Sequence, residues 1–462
     1  MDMIFKVAEH IVKADYNDLP DQAVEVTKRF ILDTLGTSIA GSTASGTAEL
    51  VNQIRSWGGS EESTLLAYGG KVPSIHATFV NSYMAHARDF DDSHGGERAG
   101  AHCNVTVMPP AIALSEQVGG KSGKDLITAV ALGVDLVARL NMSANFFHGW
   151  HYTSVMGIFG ATASAGKILG LTSEQLVNAF GIAFCQACGN RQGRKDGALT
   201  KRLQVAFSSK AGAHSALLAR IGMTGAQNIL GGEWGFYRLY RDPDSPFNYE
   251  ASIKILTDDL GRRFEGIHLS AKPYPSCRGT HAPIDAVEEL ISRHQLGADD
   301  VEEVIVYVSE SMYETVGAPF AVRTNPQVDA QFSIPYTVAV FLIKGEVKIR
   351  DFEVKEILEN REVLNMAERV KVKVDPAIRK KAKVPVRVEI RTKDGKTYSH
   401  QVDVVKGDPG KSLSYEEFAG KFRDCAEYAA RPLGKEKIGR AIDMVHELEK
   451  LKDIGELVEQ LT

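Results

Sequence analysis

The chain has 462 residues, 44% of them hydrophobic and 24% charged, with a formal charge of −5 and a pI near 6.3. Such values exclude a low-complexity or disordered polymer, leave room for two or three domains, and give no reason to expect nucleic acid or an anionic membrane as partner. The first segment, "MDMIFKVAEHIVKADY", sets charged residues among apolar ones and reads as an amphipathic helix, not a signal peptide. In "LPDQAVEVTKRFILDTLG", Pro20 marks a helix start and Gly36 the expected stop. "SIHATFVNSYMAHA" and "VTVMPPAIALSEQ" read as buried helices flanking a polar, Gly-rich stretch. "ITAVALGVDLVARL" is interrupted by Asp135, so no uninterrupted apolar run is expected to span a bilayer.

"GLTSEQLVNAFGIAF" opens with Thr172 and Gln175 at capping-box spacing. "SSKAGAHSALLARIGMTG" is rich in Ala and ends at a Gly, so helices of a compact bundle can approach closely. Near residue 300 the period changes. "VEEVIVYVSE" places Val304, Val306 and Val308 on one face, and "RVKVKVDP" repeats the pattern with Val370, Val372 and Val374. "VPVRVEIRTKDGKTYSHQVDVV" reads as a hairpin turning at Asp394-Gly395. Alternating strands predict a sheet with one wet face, or one covered by helices on a single side. Helical segments lie between the strands, "APIDAVEELISRHQ" and the run 336–344, and the helical pattern returns after "KGDPGKS" with Ser414 and Glu417 at capping-box spacing. The predicted fold is mainly α: a large all-helical domain, 1–266 plus 406–462, with an inserted smaller α+β lid domain, 267–405.

Cys103, Cys185, Cys188, Cys277 and Cys425 are odd in number and scattered. This fits a reducing compartment, hence a cytoplasmic protein or an organellar one. Cys185 and Cys188 form a CxxC without a second ligand pair for zinc, and their apolar surroundings predict small buried residues. "KGDPGKS" is no phosphate loop, because Val405 stands where that motif needs Gly.

The polar stretch, "AHARDFDDSHGGERAGAHCNVTVMPP" (85–110), gathers His86, Asp89, Asp91, Asp92, His94, Glu97 and His102. Read from residues alone it stays open between a metal site, a solvated loop and a proton-transfer site. His86 and Asp89 could share a helix face, but neither HExxH nor EF-hand spacing is present. A solvated loop is the simplest reading of the composition. The flanking buried helices favour a site.

"HARDFDDS", followed by a His, resembles the MmgE/PrpD family, which includes 2-methylcitrate dehydratase, cis-aconitate decarboxylase and iminodisuccinate epimerase. "ILDTLGTSIAG", "WHYTSVMGIFGATASAGKILGL", "DGALTKRLQVAFSSKAG", "KPYPSCRGTH" and "QFSIPYTVAVFL" extend the resemblance in order along the chain. It implies action on a small polycarboxylate without an obligatory metal or organic cofactor, and a homodimer. It carries over Asp89, Ser93, His102, His151, Lys201, Lys272 and Tyr336 as active-site positions, with His281 as a further substrate-binding candidate. His102 and His151 would transfer protons, since imidazole titrates near working pH. Asp89 would orient a His or take part in proton transfer, although a helix cap is an alternative. Lys201 lies in a basic loop with Arg191, Arg194, Lys195 and Arg202. Lys201 and Lys272 would hold substrate carboxylates, and Tyr336 would donate its phenol or serve as a core aromatic. With these assignments the site would lie between the two domains, closing around the substrate.

Ser93 stands where the family often has Thr, and Cys103 follows His102 where Pro is common. The gap from Asp89 to His102 makes His94 a rival for the His102 role. The expected activity is a cofactor-independent lyase, a dehydratase or decarboxylase that abstracts a proton alpha to a carboxylate of a di- or tricarboxylic acid. An epimerase using the same abstraction, or a carboxylate-binding protein without turnover, are the alternatives.

Overall fold

The computed structural model describes residues 1–94, 100–146, 149–244, 246–323, 325–378 and 385–462, without the side chains of Arg194 and Lys195. Glu97 and those two cationic side chains thus lie outside the described residues. The helices of ten or more residues are α1 (Ile4–Lys13), α2 (Asp21–Gly41), α3 (Thr47–Trp57), α4 (Ser74–Ala85), α5 (Asn104–Val118), α6 (Gly123–Ser143) and α7 (Tyr152–Leu169). They continue with α8 (Ser173–Phe184), α9 (Thr200–Arg220), α10 (His281–His294), α11 (Ile334–Lys344), α12 (Tyr415–Ala426) and α13 (Lys435–His446). The longer strands are β1 (Val301–Val308), β2 (Val370–Val374), β3 (Val386–Thr392) and β4 (Thr397–Val402).

Two compact units divide the chain. The first holds Met1–Ala87, Asp91–Leu269 and Ser414–Thr462; the second holds Arg88–Phe90 and Ser270–Leu413. These limits differ by a few residues from those read in the sequence, and hydrogen bonds explain why. Ala271 N donates to Gly407 O, and Arg278 pairs with Asp408, so residues 407–408 stay with the second unit. Residues 88–90 join it because Gln331 Nε2 donates to Arg88 O at 2.8 Å and Lys272 binds Asp89.

In the first unit, α7 packs against α5, α6, α8 and α9. Glycine makes these approaches possible. A Cβ on Gly157 would come within 2.6 Å of Thr106 Cγ2 on α5, and one on Gly160 within 2.3 Å of Val137 Cγ2 and 2.8 Å of Gly133 O on α6. One on Gly212 of α9 would meet Ile158 O at 2.8 Å. At the α6–α7 and α7–α9 approaches a Cβ would meet backbone, and at α5–α7 it would meet the Thr106 side chain. Gly36 does not end its helix: α2 runs on to Gly41, and Gly36 instead leaves room for Phe422 of α12, 3.3 Å from where a Cβ would stand.

The capping boxes at Thr172 and Ser414 form as their spacing predicts, each hydroxyl accepting from the backbone N–H three residues on. By length and composition α6 passes for a membrane span, but Asp135 interrupts it as expected and 94% of its most apolar stretch is buried within the protein. Its charges are compensated: Arg139 Nε donates to Asp135 Oδ2 at 2.8 Å, and the guanidinium also binds the carbonyls of Ile255, Asp258 and Arg263.

The second unit is a four-stranded sheet in the order β2-β1-β3-β4. β1 runs parallel to β2 and antiparallel to β3, and β3-β4 is the predicted hairpin, with Gly395 at φ 84° in its turn. Val304, Val306, Val308, Val386, Val388 and Ile390 share one face and form a core with α10 and α11. On the other face Arg387 stacks over Tyr307. Burial along β2 is confined to Val370, Val372 being half-buried and Val374 exposed, because β2 is an edge strand.

Replacing Gly160 with Val should overpack the α6–α7 contact and cost about 1–3 kcal/mol, read as a lower melting temperature. Gly439→Ala, where a Cβ meets nothing within 4 Å, is the control and should leave stability equal or slightly raised.

Candidate active site

α4 is apolar and buried, and it ends at Ala85 with His86 as its C-cap. The chain then turns sharply: Asp89 has φ 54°, a left-handed conformation that Asp tolerates better than most residues. His86 and Asp89 therefore do not share a helix face. Asp92 ends the turn by capping α5, its two carboxylate oxygens accepting from Cys103 N at 2.9 Å and Asn104 N at 3.1 Å. That capping places His102 immediately before α5. His151 is the N-cap of α7, and Lys201 lies in the first turn of α9.

These helix starts gather three imidazoles around one carboxylate. Asp91 is fully buried. Its Oδ2 lies 2.8 Å from His86 Nδ1, a hydrogen bond, and 2.9 Å from His102 Nδ1, which is not aligned as one. The His86 ring is 4.9 Å from that of His102 and 6.2 Å from that of His151. His151 Nδ1 is 2.8 Å from Ser154 Oγ. Asp91 Oδ1, His86 Nε2 and His102 Nδ1 are buried with no hydrogen-bond partner among the described residues.

The electrostatics follow from burial. For Asp91, burial opposes the charge, but His86 and His102 together outweigh it and hold the carboxyl well below its usual range. Burial pushes His86 down to about 4, against the pull of Asp91. His151 is driven well below the ordinary imidazole value by burial, then by His86, Lys201, His102 and Arg191. Asp92 is pushed up to about 6 by burial and by Asp91 beside it. At neutral pH Asp91 is thus ionised, Asp92 is brought close to its titration range, and His86 and His151 are neutral. His86 donates its Nδ1 proton to Asp91 and keeps Nε2 as a free lone pair. The helix starts at α5, α7 and α9 add positive potential, which favours bound carboxylates.

His86, Asp91 and His102 are also the one group of His, Cys, Asp or Glu among the described residues whose donor atoms lie within 4.8 Å of one another, so they could hold a metal ion. Nitrogen and carboxylate donors of this kind suit zinc. A metal there would have to displace the His86–Asp91 hydrogen bond.

Residues 6–247 match the MmgE/PrpD N-terminal domain, and residues 274–448 match the MmgE/PrpD C-terminal domain. The chain belongs to the MmgE/PrpD family. It is 27% identical over 464 residues to the cis-aconitate decarboxylase of Mus musculus, covering 96% of this chain and 90% of that one. Against the cis-aconitate decarboxylase of Homo sapiens it is 26% identical over 468 residues, with 98% and 92% covered. That of Aspergillus terreus is 26% identical over 467 residues, with 96% and 93% covered. A family member with decarboxylases among its relatives, the chain is an enzyme of the lyase class.

Of the positions that the MmgE/PrpD resemblance carries over, His102, His151 and Lys201 come together in the first unit, where Lys201 bears electrostatically on His86 and His151. His94, the rival of His102, is apart from them: its Nδ1 faces Asn141 Nδ2 at 3.0 Å, and burial pushes it down to about 4. Ser93 is half-buried and forms a two-residue strand with His94. Asp89, Lys272, His281 and Tyr336 belong to the second unit. Lys272 is buried and donates to Asp89 O at 2.8 Å and Oδ2 at 3.1 Å. Asp89 therefore holds a lysine ammonium. His281 has both ring nitrogens engaged, by Arg278 and by Ser276 O. The Tyr336 hydroxyl donates to Asp351 O at 2.6 Å, and its ring lies in the hydrophobic core.

Sequence reasoning selected neither His86 nor Asp91, nor Ser154. His151 and Ser154 stand at N-cap and N3 spacing, a signal that could have found the pair. No spacing rule links a helix C-cap histidine to an aspartate five residues on. Asp91→Asn should lower kcat/KM at least ~100-fold by removing the charge that orients two imidazoles, with melting little changed. Equal loss of stability and activity would make Asp91 structural.

Proposed function

We propose that the chain is a carboxy-lyase acting on an unsaturated tricarboxylic acid of the cis-aconitate kind. The reading rests on one observation, the ionised Asp91 carboxylate held between His86 and His102 beside a neutral His151, and it is supported by the decarboxylases among the relatives. A base removes a proton next to a substrate carboxylate, leaving a carbanion delocalised over the double bond. An acid returns a proton to a different carbon. Loss of carbon dioxide then breaks one C–C bond, and the electron pair left on carbon takes up a proton, so each turnover consumes one proton.

His151 and His102, both partly exposed, perform the transfers in this reading. His86 and Asp91 stand behind: the carboxylate fixes the rings and stabilises whichever imidazole becomes charged. Lys201 and the start of α9 bind a substrate carboxylate and oppose premature protonation of the imidazoles. Side-chain acids and bases suffice for this chemistry. Dehydration begins with the same abstraction, and differs in expelling hydroxide where decarboxylation expels carbon dioxide.

Incubation with cis-aconitate in deuterated water tests the reading. Carbon dioxide release with deuterium in the product supports it. New alkene absorbance from citrate-like acids without carbon dioxide would make the enzyme a dehydratase, and deuterium exchange without net loss an epimerase. Saturable binding alone would make it a carboxylate-binding protein.

A second measurement uses pH. A base works only while neutral, so activity is present above its pKa and falls as pH drops through it. The acid limb of kcat/KM should therefore lie below about 6.5, the ordinary imidazole value. Lys201→Met removes a cation that lowers both His86 and His151, so it should move the limb to higher pH and raise KM.

A further inference from the structure

The CxxC is not buried. Cys185 and Cys188 are both exposed free thiols, whereas Cys103 and Cys425 are buried and Cys277 is half-buried. The apolar run ends sooner than its composition predicts. α8 stops at Phe184, Cys185 is its C-cap with Sγ 3.0 Å from Ile182 O, and the chain leaves the helix for an extended path.

That path leads directly to His151. Residues 189–191 pair antiparallel with 149–151: His151 N donates to Gly189 O at 3.1 Å, and Arg191 N donates to Gly149 O at 3.0 Å. Gly189 has φ 137°, and a Cβ there would lie 2.8 Å from Ser154 Cβ and 3.2 Å from Ser154 Oγ. Ser154 Oγ in turn bonds the His151 ring. Just before this, Ala187 O accepts from the Tyr240 hydroxyl. Cys188 thus sits between two anchored carbonyls, one residue from the strand that holds the His151 backbone and from the glycine that seats its hydroxyl partner.

We propose that Cys185 and Cys188 form an oxidisable dithiol site, which takes a low-molecular-weight disulfide and, when closed into a disulfide, displaces Gly189 and withdraws His151 from its working position. With a low-molecular-weight disulfide, one cysteine thiolate attacks a sulfur, the S–S bond breaks, and one small thiolate leaves. The second cysteine thiolate attacks the mixed disulfide and expels the other. The two protein thiols lose two protons and two electrons, and the reagent is reduced to two thiols. Closure requires the two Cα atoms to lie about 4.4–6.8 Å apart, a constraint imposed on a four-residue segment whose far end is pinned to His151 and Ser154. Misplacing a catalytic group by about 1 Å can cost on the order of 100-fold in rate. The cross-link itself is independent of the lyase reading; only its effect on turnover rests on that reading.

The test uses the full chain and oxidised glutathione. In the reduced native protein two thiols should react rapidly with a chromogenic disulfide, and replacing either cysteine with Ser should leave one. After oxidation the tryptic peptide 168–191, which contains both cysteines, should be lighter by two hydrogens. The imidazole NMR signals of His151 should shift, and kcat should fall about 10-fold or more, all reversed by dithiothreitol. Cys188→Ser should keep basal turnover and resist the loss. A persistent mixed glutathione adduct in place of the internal disulfide, or a disulfide with His151 signals and kcat unchanged, would overturn the proposal. If no turnover is found with any acid, the peptide mass and the His151 signals still decide it.

Discussion

The close approach of α7 to its neighbours is the constraint on which the first unit depends. Four glycines, Gly133, Gly157, Gly160 and Gly212, leave no room for a Cβ where α5, α6 and α9 meet α7, so these helices pack unusually close. A glycine within a helix costs roughly 1 kcal/mol relative to alanine, so contacts made at that cost set helix positions closely. His102, His151 and Lys201 stand at or beside the first turns of three of these helices. The groups of the candidate site are positioned by the packing of these helices.

The chemistry within that frame is decided by how two adjacent aspartates are solvated. Asp92 accepts two backbone N–H groups at the start of α5, while Asp91 faces two imidazoles. Both are fully buried, and a buried carboxylate stays ionised only where partners replace water. Asp91 has the stronger partners and takes the charge, and its charge pushes Asp92 towards protonation. Lys201, acting through space, disfavours charge on His86 and His151. An ionised acid beside neutral bases is the state from which proton abstraction starts.

The second unit shows the opposite treatment of polar side chains. Lys272, His281 and Tyr336 each have their hydrogen-bonding atoms engaged, by Asp89, by Arg278 and Ser276, and by Asp351. In the first unit, by contrast, buried atoms of His86, Asp91 and His102 lack hydrogen-bond partners. Unmet capacity in a buried group is costly unless something uses it.

Much of the fold was legible in the sequence, because helix periodicity, capping boxes at Thr172 and Ser414, and the Asp394-Gly395 hairpin are local signals between residues a few positions apart. The ordered motifs along the chain carried the family, and they also pointed to His102, His151 and Lys201, which the fold brings together. Tertiary structure decided the rest. Gly36 sits inside α2 and packs against Phe422, nearly 400 residues away, and the exposure of Cys185 and Cys188 is set where α8 ends at Phe184. The partnership of Asp91 with His86 and His102 depends on a left-handed turn at Asp89 and on the capping of α5. A hydrogen bond or a burial penalty acts over a few ångströms in space, and only the folded backbone brings those residues within that range.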